Sequence, residues 1–203
     1  TVGPPLKGVE VKIADNNEIC CRGHNVMLGY YKDPERTDEV IDKDGWLHTG
    51  DMGIITPEGL LKITGRIKSI FKTSFGKYIN PQKIEEKCCE SPFIENMLVL
   101  GENQKFAAAL ILPDFQFLQS YCNNHKIPYT TPSEMVENKD IIDRYKRELK
   151  KYNQNFGDWE QVKKFKLIAD EWSQQTGILT PTLKVKRNLI QERYKDVVEQ
   201  LFL

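Results

Sequence analysis

The stretch from Gly45 to Glu85 constrains this chain most, because tight-turn residues alternate there with short apolar runs. It opens Gly-Trp-Leu-His-Thr-Gly-Asp-Met-Gly and reaches Thr56-Pro57-Glu58-Gly59. In that tetrapeptide Pro presets φ and Gly is free to take φ > 0, which predicts a hairpin turn. Leu60–Ile63 and Ile67–Lys72 flank Gly65-Arg66 as two apolar-alternating runs, each read as a strand. Asn80-Pro81 then supplies a helix N-cap and a first-turn proline.

Upstream, residues 1–55 read as all-β. Val9, Val11 and Ile13 alternate with charged neighbours, Asn16-Asn17 makes a turn, and Glu18–Arg22 returns as a second strand. Asp33-Pro34 opens a short helix through Ile41, which Asp42-Lys43-Asp44-Gly45 closes. After Gly65-Arg66 the pattern turns to α+β. A helix is predicted over Pro81–Glu90, a hairpin over Asn96–Leu100 and Phe106–Leu112, and a helix from Asp114 to about Asn124. Thr131-Pro132-Ser133-Glu134 is a capping box, followed by Ile142, Tyr145, Leu149 and Tyr152 at helical spacing. Phe165–Ala169 reads as a strand and Thr176–Lys186 as a loop. Leu189, Ile190, Tyr194, Val197, Val198, Leu201 and Phe202 mark one face of a terminal helix.

At 203 residues the chain can hold one ordinary domain, or a small domain plus part of another. Lys plus Arg and Asp plus Glu balance at 29 each, so no global field selects nucleic acid or an anionic surface. No apolar run approaches the roughly 18–20 residues of a spanning helix. Thr1-Val2-Gly3-Pro4-Pro5 is not a basic and apolar leader. Cys20, Cys21, Cys88, Cys89 and Cys122 form no zinc spacing and are expected to be reduced thiols of a cytosolic protein. His24, His48 and His125 have no partner spacing and are expected in solvent or packing; Trp159 and Trp172 are expected to pack. No protein-bound metal is expected.

Taken together, Trp-Leu-His-Thr-Gly-Asp (46–51), Gly-Arg-x-Lys (65–68) and Gly-Lys-Tyr-Ile-x-Pro-x-Lys-Ile-Glu (76–85) resemble the adenylate-forming, acyl-activating enzyme superfamily. Ile70-Phe71-Lys72 and Tyr78-Ile79-Asn80-Pro81 look most like its long-chain fatty acyl-CoA synthetases, and Glu18-Ile19 through Tyr30-Tyr31 resembles the β segment before Thr-Gly-Asp. The resemblance covers nearly the whole chain but only the last third of such an enzyme. It implies an α+β fold: residues 1–65 as the incomplete end of a large N-terminal domain, part of a β-barrel subdomain, and 66–203 as a mobile C-terminal domain with a mixed sheet flanked by helices.

The same resemblance assigns roles. Asp51 matches the carboxylate that accepts both ribose hydroxyls of ATP, a task suited to a bidentate acceptor; by itself an Asp after Gly is more often a turn residue. Arg66 matches the arginine beside it, and Lys72 is a further cation for the nucleotide or simply an exposed strand lysine. Lys68 occupies the pivot of the C-terminal domain, where torsions must change between two states. Phe71–Gly76 resembles the strand that faces the site when the thioester forms. There Gly76 lets pantetheine pass close to the backbone, and Phe75 stands where many relatives have a small residue. Thr180–Arg187 resembles the C-terminal lysine motif, with Leu183 in place of the usual Gly, so a stiffer loop is expected. Alignment through Arg187 selects Lys184 as the catalytic lysine, with Lys186 the fallback, and a flexible ammonium suits charge on the α-phosphate and the attacking carboxylate.

What the resemblance implies for the parent enzyme is ATP-dependent conversion of a long-chain fatty acid to acyl-adenylate and then, with coenzyme A, to acyl-CoA. Mg²⁺ is expected on the triphosphate and the absent N-terminal domain rather than on this chain. The expected location is cytoplasmic, with peripheral association of the longer enzyme at an inner membrane face compatible with it. No Gly/Ser/Thr-rich phosphate loop and no acyl tunnel is found in the chain, so the fragment alone is expected to be inactive. The alternative is a free-standing binding or partner module with a basic C-terminal loop. A reading frame continuing upstream of Thr1 with a Ser/Thr/Gly-rich loop separates the two.

Overall fold

The alternation at the N-terminus does produce a sheet. In the computed structural model, which describes residues 1–203 apart from the Lys68 side chain, β1 (Val9–Ile13) pairs antiparallel with β2 (Glu18–Gly23). Asn17 takes the left-handed conformation in the turn between them, φ 64°, which Asn tolerates better than most residues. The helix α1 (Pro34–Val40) starts where Asp33 caps it, its side chain accepting from the Arg36 N–H at 3.1 Å. β3 (Leu47–Ile55) and β4 (Leu61–Arg66) complete an antiparallel sheet in the order β1-β2-β3-β4. The Thr56–Gly59 turn closes their hairpin, with the Gly59 N–H donating to Thr56 O at 2.8 Å and Gly59 at φ 78°. The second run predicted as a strand begins differently. Ile67–Ser69, which includes the backbone of Lys68, is a single 3-10 turn closed by the Ile70 N–H on Ile67 O.

Thr1–Ile70 and Phe71–Leu203 are two compact units. The first buries little: Glu18, Ile19, Cys20 and Gly53, while Ile54, Ile55 and Ile63 remain exposed. A four-stranded sheet with so little of either face covered lacks the packed layer that normally stabilises one.

The second unit begins with β5 (Phe71–Lys72) paired to β6 (Tyr78–Ile79), then α2 (Pro81–Cys88), capped by Asn80 with Pro81 in the first turn. This helix stops short of the predicted Glu90, because Cys89 and Ser91 turn the chain toward the next strand. β7 (Ile94–Leu100) and β8 (Ala107–Pro113) form the predicted hairpin. Then come α3 (Phe115–His125), α4 (Pro132–Glu137) and α5 (Lys139–Asn153), and β9 (Val162–Leu167) returns parallel to β8. A crossover of this length is what a parallel pair requires. The helical periodicity after Thr131 is split in two because the Asn138 side chain caps a new helix, accepting from the Asp140 N–H at 2.9 Å. The terminal helix is split likewise, into α6 (Arg187–Arg193) and α7 (Lys195–Phe202). Tyr194 between them is buried, its hydroxyl donating to Asp170 at 2.8 Å and lying 3.4 Å from the Trp172 indole nitrogen. Trp172 packs as expected, but Trp159 is half exposed, in a turn that closes on Gly157.

The strands β7 and β8 carry the core of this unit on both faces. Met97, Val99, Ala109 and Ile111 face Ile84, Leu118 and Tyr145 of the helices α2, α3 and α5. Leu98, Leu100, Leu110 and Leu112 face Trp172, Ile190 and Leu201. Their sequences accordingly read as continuous apolar runs rather than as alternation. Replacing Leu110 with Ala is expected to destabilise the chain by about 2–5 kcal/mol. Ile63→Ala, on the half-exposed face of β4, is expected to cost under about 0.5 kcal/mol. Urea denaturation of the two variants checks the contrast, and equal losses would contradict it.

Candidate active site

Asp51 and Arg66 lie opposite each other where β3 and β4 pair. The Arg66 Nε donates to Asp51 Oδ1 at 2.8 Å. Both side chains retain access to solvent, so this is an available charge pair rather than a structural one. The structure therefore brings together the two residues that the resemblance places at a ribose.

The backbone that presents Asp51 is irregular. Glu18 pairs with Met52 and Cys20 with His48, so Thr49, Gly50 and Asp51 stand opposite Ile19 alone. Gly50 has φ 72°, a left-handed conformation that glycine adopts without cost. Thr49 Oγ1 donates to Ile19 O at 2.7 Å and accepts from the Asp51 N–H at 3.2 Å. Buried Glu18 accepts twice: its Oε1 from the Gly50 N–H at 2.9 Å, and its Oε2 lies 2.9 Å from His48 Nδ1. Burial works against the Glu18 charge, yet the hydrogen bonds from His48 and Gly50 outweigh it and hold the carboxyl below its ordinary 4.5. Far from being partnerless, His48 also has its Nε2 3.7 Å from Asp42 Oδ2.

Cys20 Sγ lies 3.6 Å from the same His48 Nδ1. Glu18, Cys20 and His48 are the one group among the described residues with three potential metal-ligand atoms, all within 4.8 Å of one another. A thiol and an imidazole make it a poor fit to Mg²⁺, which takes oxygen ligands. All five cysteines are free thiols. Burial pushes the Cys88 thiol up to about 12, so it is held protonated at neutral pH.

In the second unit, only Phe71–Lys72 of the expected Phe71–Gly76 strand is extended. Thr73–Lys77 is the loop of the β5–β6 hairpin, with the Gly76 N–H donating to Thr73 O at 2.9 Å and the Thr73 N–H to Lys77 O at 2.9 Å. Gly76 has φ 80°, and a Cβ there would meet only Lys72 Cε, at 3.7 Å. Its requirement for glycine within this chain is thus conformational. Phe75 at the tip is exposed, and Lys72 Nζ lies 5.5 Å from the Tyr78 ring.

Lys184 is exposed in a turn rather than in an unstructured loop. The Thr180 N–H donates to Lys184 O at 2.8 Å, the Lys184 N–H to Thr180 Oγ1 at 3.0 Å, and Leu179 bridges Val185. Leu183 occupies the left-handed region at φ 60°, the conformation that a glycine there would take freely. Lys186 is also exposed and precedes α6, with its N–H on Ile178 O. Arg187, the alignment anchor, fastens this segment to the core: it donates to Glu85 Oε1 at 2.6 Å and to Val99 O. Glu85 in turn accepts from the Val99 N–H at 2.7 Å. Burial raises the Glu85 carboxyl pKa, and Arg187 opposes that shift.

Glu18, His48, Glu85 and Arg187 are thus the residues whose site-building part was missed. All four fall inside a matching motif, but the partners that give them their part, Glu18 with His48 and Glu85 with Arg187, stand 30 and 102 residues apart. A 320 Å³ groove on α5 and β9, lined by Lys146, Lys150 and Lys163, contains none of the candidate residues.

The depressed Glu18 value has a pH consequence. A carboxyl lowered on folding adds stability above its unfolded value, here about 4.5, and that contribution is lost as pH falls through the folded value. Glu18→Gln is therefore expected to flatten the acid limb of thermal stability below about pH 4.5, measured as Tm against pH. An unchanged limb would contradict the charge role.

Comparison with known proteins supplies the family. The chain is 38% identical to human long-chain-fatty-acid–CoA ligase 6 over 99% of its length, and spans 31% of that protein. It is 32% identical over its whole length to long-chain-fatty-acid–CoA ligase FadD15 of Mycobacterium tuberculosis, and spans 34% of it. It therefore covers about a third of each of these relatives. The A domain of a carboxylic acid reductase from Segniliparus rugosus, solved with AMP and a co-purified carboxylic acid, shares the fold: the TM-score is 0.80 over 98% of this chain and 32% of that one, at 22% identity. Residues 68–203 match a family model described as the C-terminal domain of AMP-binding enzymes, and the chain belongs to that family.

Proposed function

We propose that this chain is the C-terminal portion of a longer ligase that joins a long-chain fatty acid to coenzyme A at the expense of ATP. The observation that carries the reading is the Asp51–Arg66 pair, held across β3 and β4 within a chain that matches long-chain-fatty-acid–CoA ligases from end to end. In this reading residues 1–65 end a large N-terminal domain, which fits a sheet with so little buried surface. Residues 66–203 are the mobile domain.

The chemistry assigned to the parent runs in two halves. The fatty carboxylate attacks the α-phosphorus of ATP, expelling pyrophosphate and leaving acyl-adenylate. The coenzyme A thiolate then attacks the acyl carbonyl, and AMP departs. Asp51 accepts the ribose hydroxyls with Arg66 beside it, and Lys72 adds positive charge to the nucleotide's surroundings. Lys184 meets the charge at the α-phosphate during the first half. Rotation about Lys68 then presents Phe75 and Gly76 to coenzyme A. Mg²⁺ travels with the triphosphate, and peripheral membrane attachment and a cytoplasmic location belong to the longer enzyme.

Lys184→Ala in the longer enzyme is expected to slow adenylate formation by about 10²–10³, the usual loss for one preorganised charge contact. Attack of coenzyme A on supplied acyl-adenylate is expected to be nearly unchanged. Pyrophosphate release and thioester formation, followed separately, check this. If Lys184→Ala harms both steps equally while Lys186→Ala harms only the first, Lys186 is the catalytic lysine.

A further inference from the structure

We propose that Glu18 is a positioning residue for the nucleotide, acting through the Thr49–Asp51 bulge rather than by touching substrate; this rests on the ribose reading of Asp51. The bulge carries three residues of β3 opposite one of β2, and such an insertion re-aims the side chain that follows it. It is closed on one side by the short Thr49 bond to Ile19 O and on the other by the Glu18 carboxylate on the Gly50 N–H. Gly50 has no side chain to brace it, and a Cβ there would meet nothing within 4 Å. The carboxylate therefore fixes the Thr49–Gly50 peptide in the middle of the bulge, one peptide before the Gly50–Asp51 unit whose N–H donates to Thr49 Oγ1.

His48 holds the carboxylate in place. Its Nδ1 sits on Glu18 Oε2, and its Nε2 faces the Asp42 carboxylate, so both ring nitrogens are flanked by acceptors. Arg66 then claims Asp51 Oδ1 from the neighbouring strand. Asp51 is thus fixed from two directions, through its side chain by Arg66 and through the preceding bulge, whose Gly50 N–H Glu18 holds and whose Thr49 Oγ1 accepts from the Asp51 N–H. A diol is recognised only if the carboxylate stands where two hydroxyls arrive together, so a loosened bulge reduces selectivity for the ribose before it reduces anything else.

The test uses the longer enzyme carrying this chain and compares kcat/KM for ATP with that for 2′-deoxy-ATP. This ratio is independent of the fraction of each preparation that is folded, so a loss of stability alone does not move it. The unaltered enzyme is expected to prefer ATP. Asp51→Ala is expected to abolish the preference, and Glu18→Ala to erode it roughly tenfold, the scale of one charge-assisted hydrogen bond. Glu18→Gln, which keeps an acceptor for the Gly50 N–H, is expected to restore most of it. The KM for the fatty acid should change little in all three variants.

If Asp51→Ala leaves the preference intact, the ribose reading itself fails. If Asp51→Ala abolishes it while Glu18→Ala preserves it, only the positioning role fails. Zinc titration supplies a further check. Tight binding lost in Cys20→Ser would make Glu18, Cys20 and His48 a metal site and overturn the positioning role. Absence of tight binding supports it.

Discussion

The hairpin β7–β8 is buried on both faces, and the rest of Phe71–Leu203 is arranged by that fact. A strand pair without a wet face needs a layer on each side. The crossover helices α3–α5, with α2, provide one layer, and α6, α7 and the segment holding Trp172 provide the other. The run Ala107-Ala108-Ala109 has no exposed surface, so small side chains let both layers approach the centre of the sheet. The lysine turn lies on the path of chain that leads into the second layer. Its location is therefore set by packing, although Lys184 itself is exposed.

Where the packing ends, charged hydrogen bonds fix the remaining geometry. Arg187 and Glu85 connect the start of α6 with α2 and with the edge of β7 at Val99. Such a pair contributes little net stability when intact, because desolvation offsets its attraction. It contributes position. Glu148 on α5 plays a comparable part, accepting from Ser91 Oγ at 2.8 Å and from Arg144 at 2.5 Å. In the first unit, Glu18 does for the Thr49–Asp51 bulge what Glu85 does for the lysine segment. Both are carboxylates, Glu18 buried and Glu85 partly so, that bridge a backbone N–H and a side-chain cation or imidazole.

What was legible in the sequence was local. Asp33, Asn80, Asp114 and Thr131 each cap the helix that follows, as their residue types indicate, because capping needs only a partner two or three residues on. The β3–β4 and β7–β8 hairpins and the turn glycines follow from the same short range. The Asp51–Arg66 pair was named from a motif, and the strand register makes the contact. The partnership of Glu85 with Arg187 was not legible, since 102 residues separate them. His48 was read as unpartnered because Glu18 stands 30 residues away and Asp42 has no metal-like spacing from it. Apolar periodicity continues through Asn138 and Tyr194 and so does not mark the two helix breaks, where the Asn138 side chain caps a new helix and Tyr194 leaves the helical conformation at φ −108°, ψ 27°. Leu183 shows a local rule overridden. A leucine in the left-handed region costs roughly 1–2 kcal/mol, a cost borne here by the hydrogen bonds of the Thr180–Lys184 turn.

The central claim is a division of labour: Asp51 and Arg66 in the first unit hold nucleotide, and the second unit supplies charge for bond formation. The most direct measurement compares the longer enzyme with a form ending at Ile70, following ATP binding and pyrophosphate release in parallel. The account predicts that the shortened form still binds ATP in preference to 2′-deoxy-ATP and releases almost no fatty-acid-dependent pyrophosphate. Adenylate formation at the full rate without residues 71–203 would contradict it.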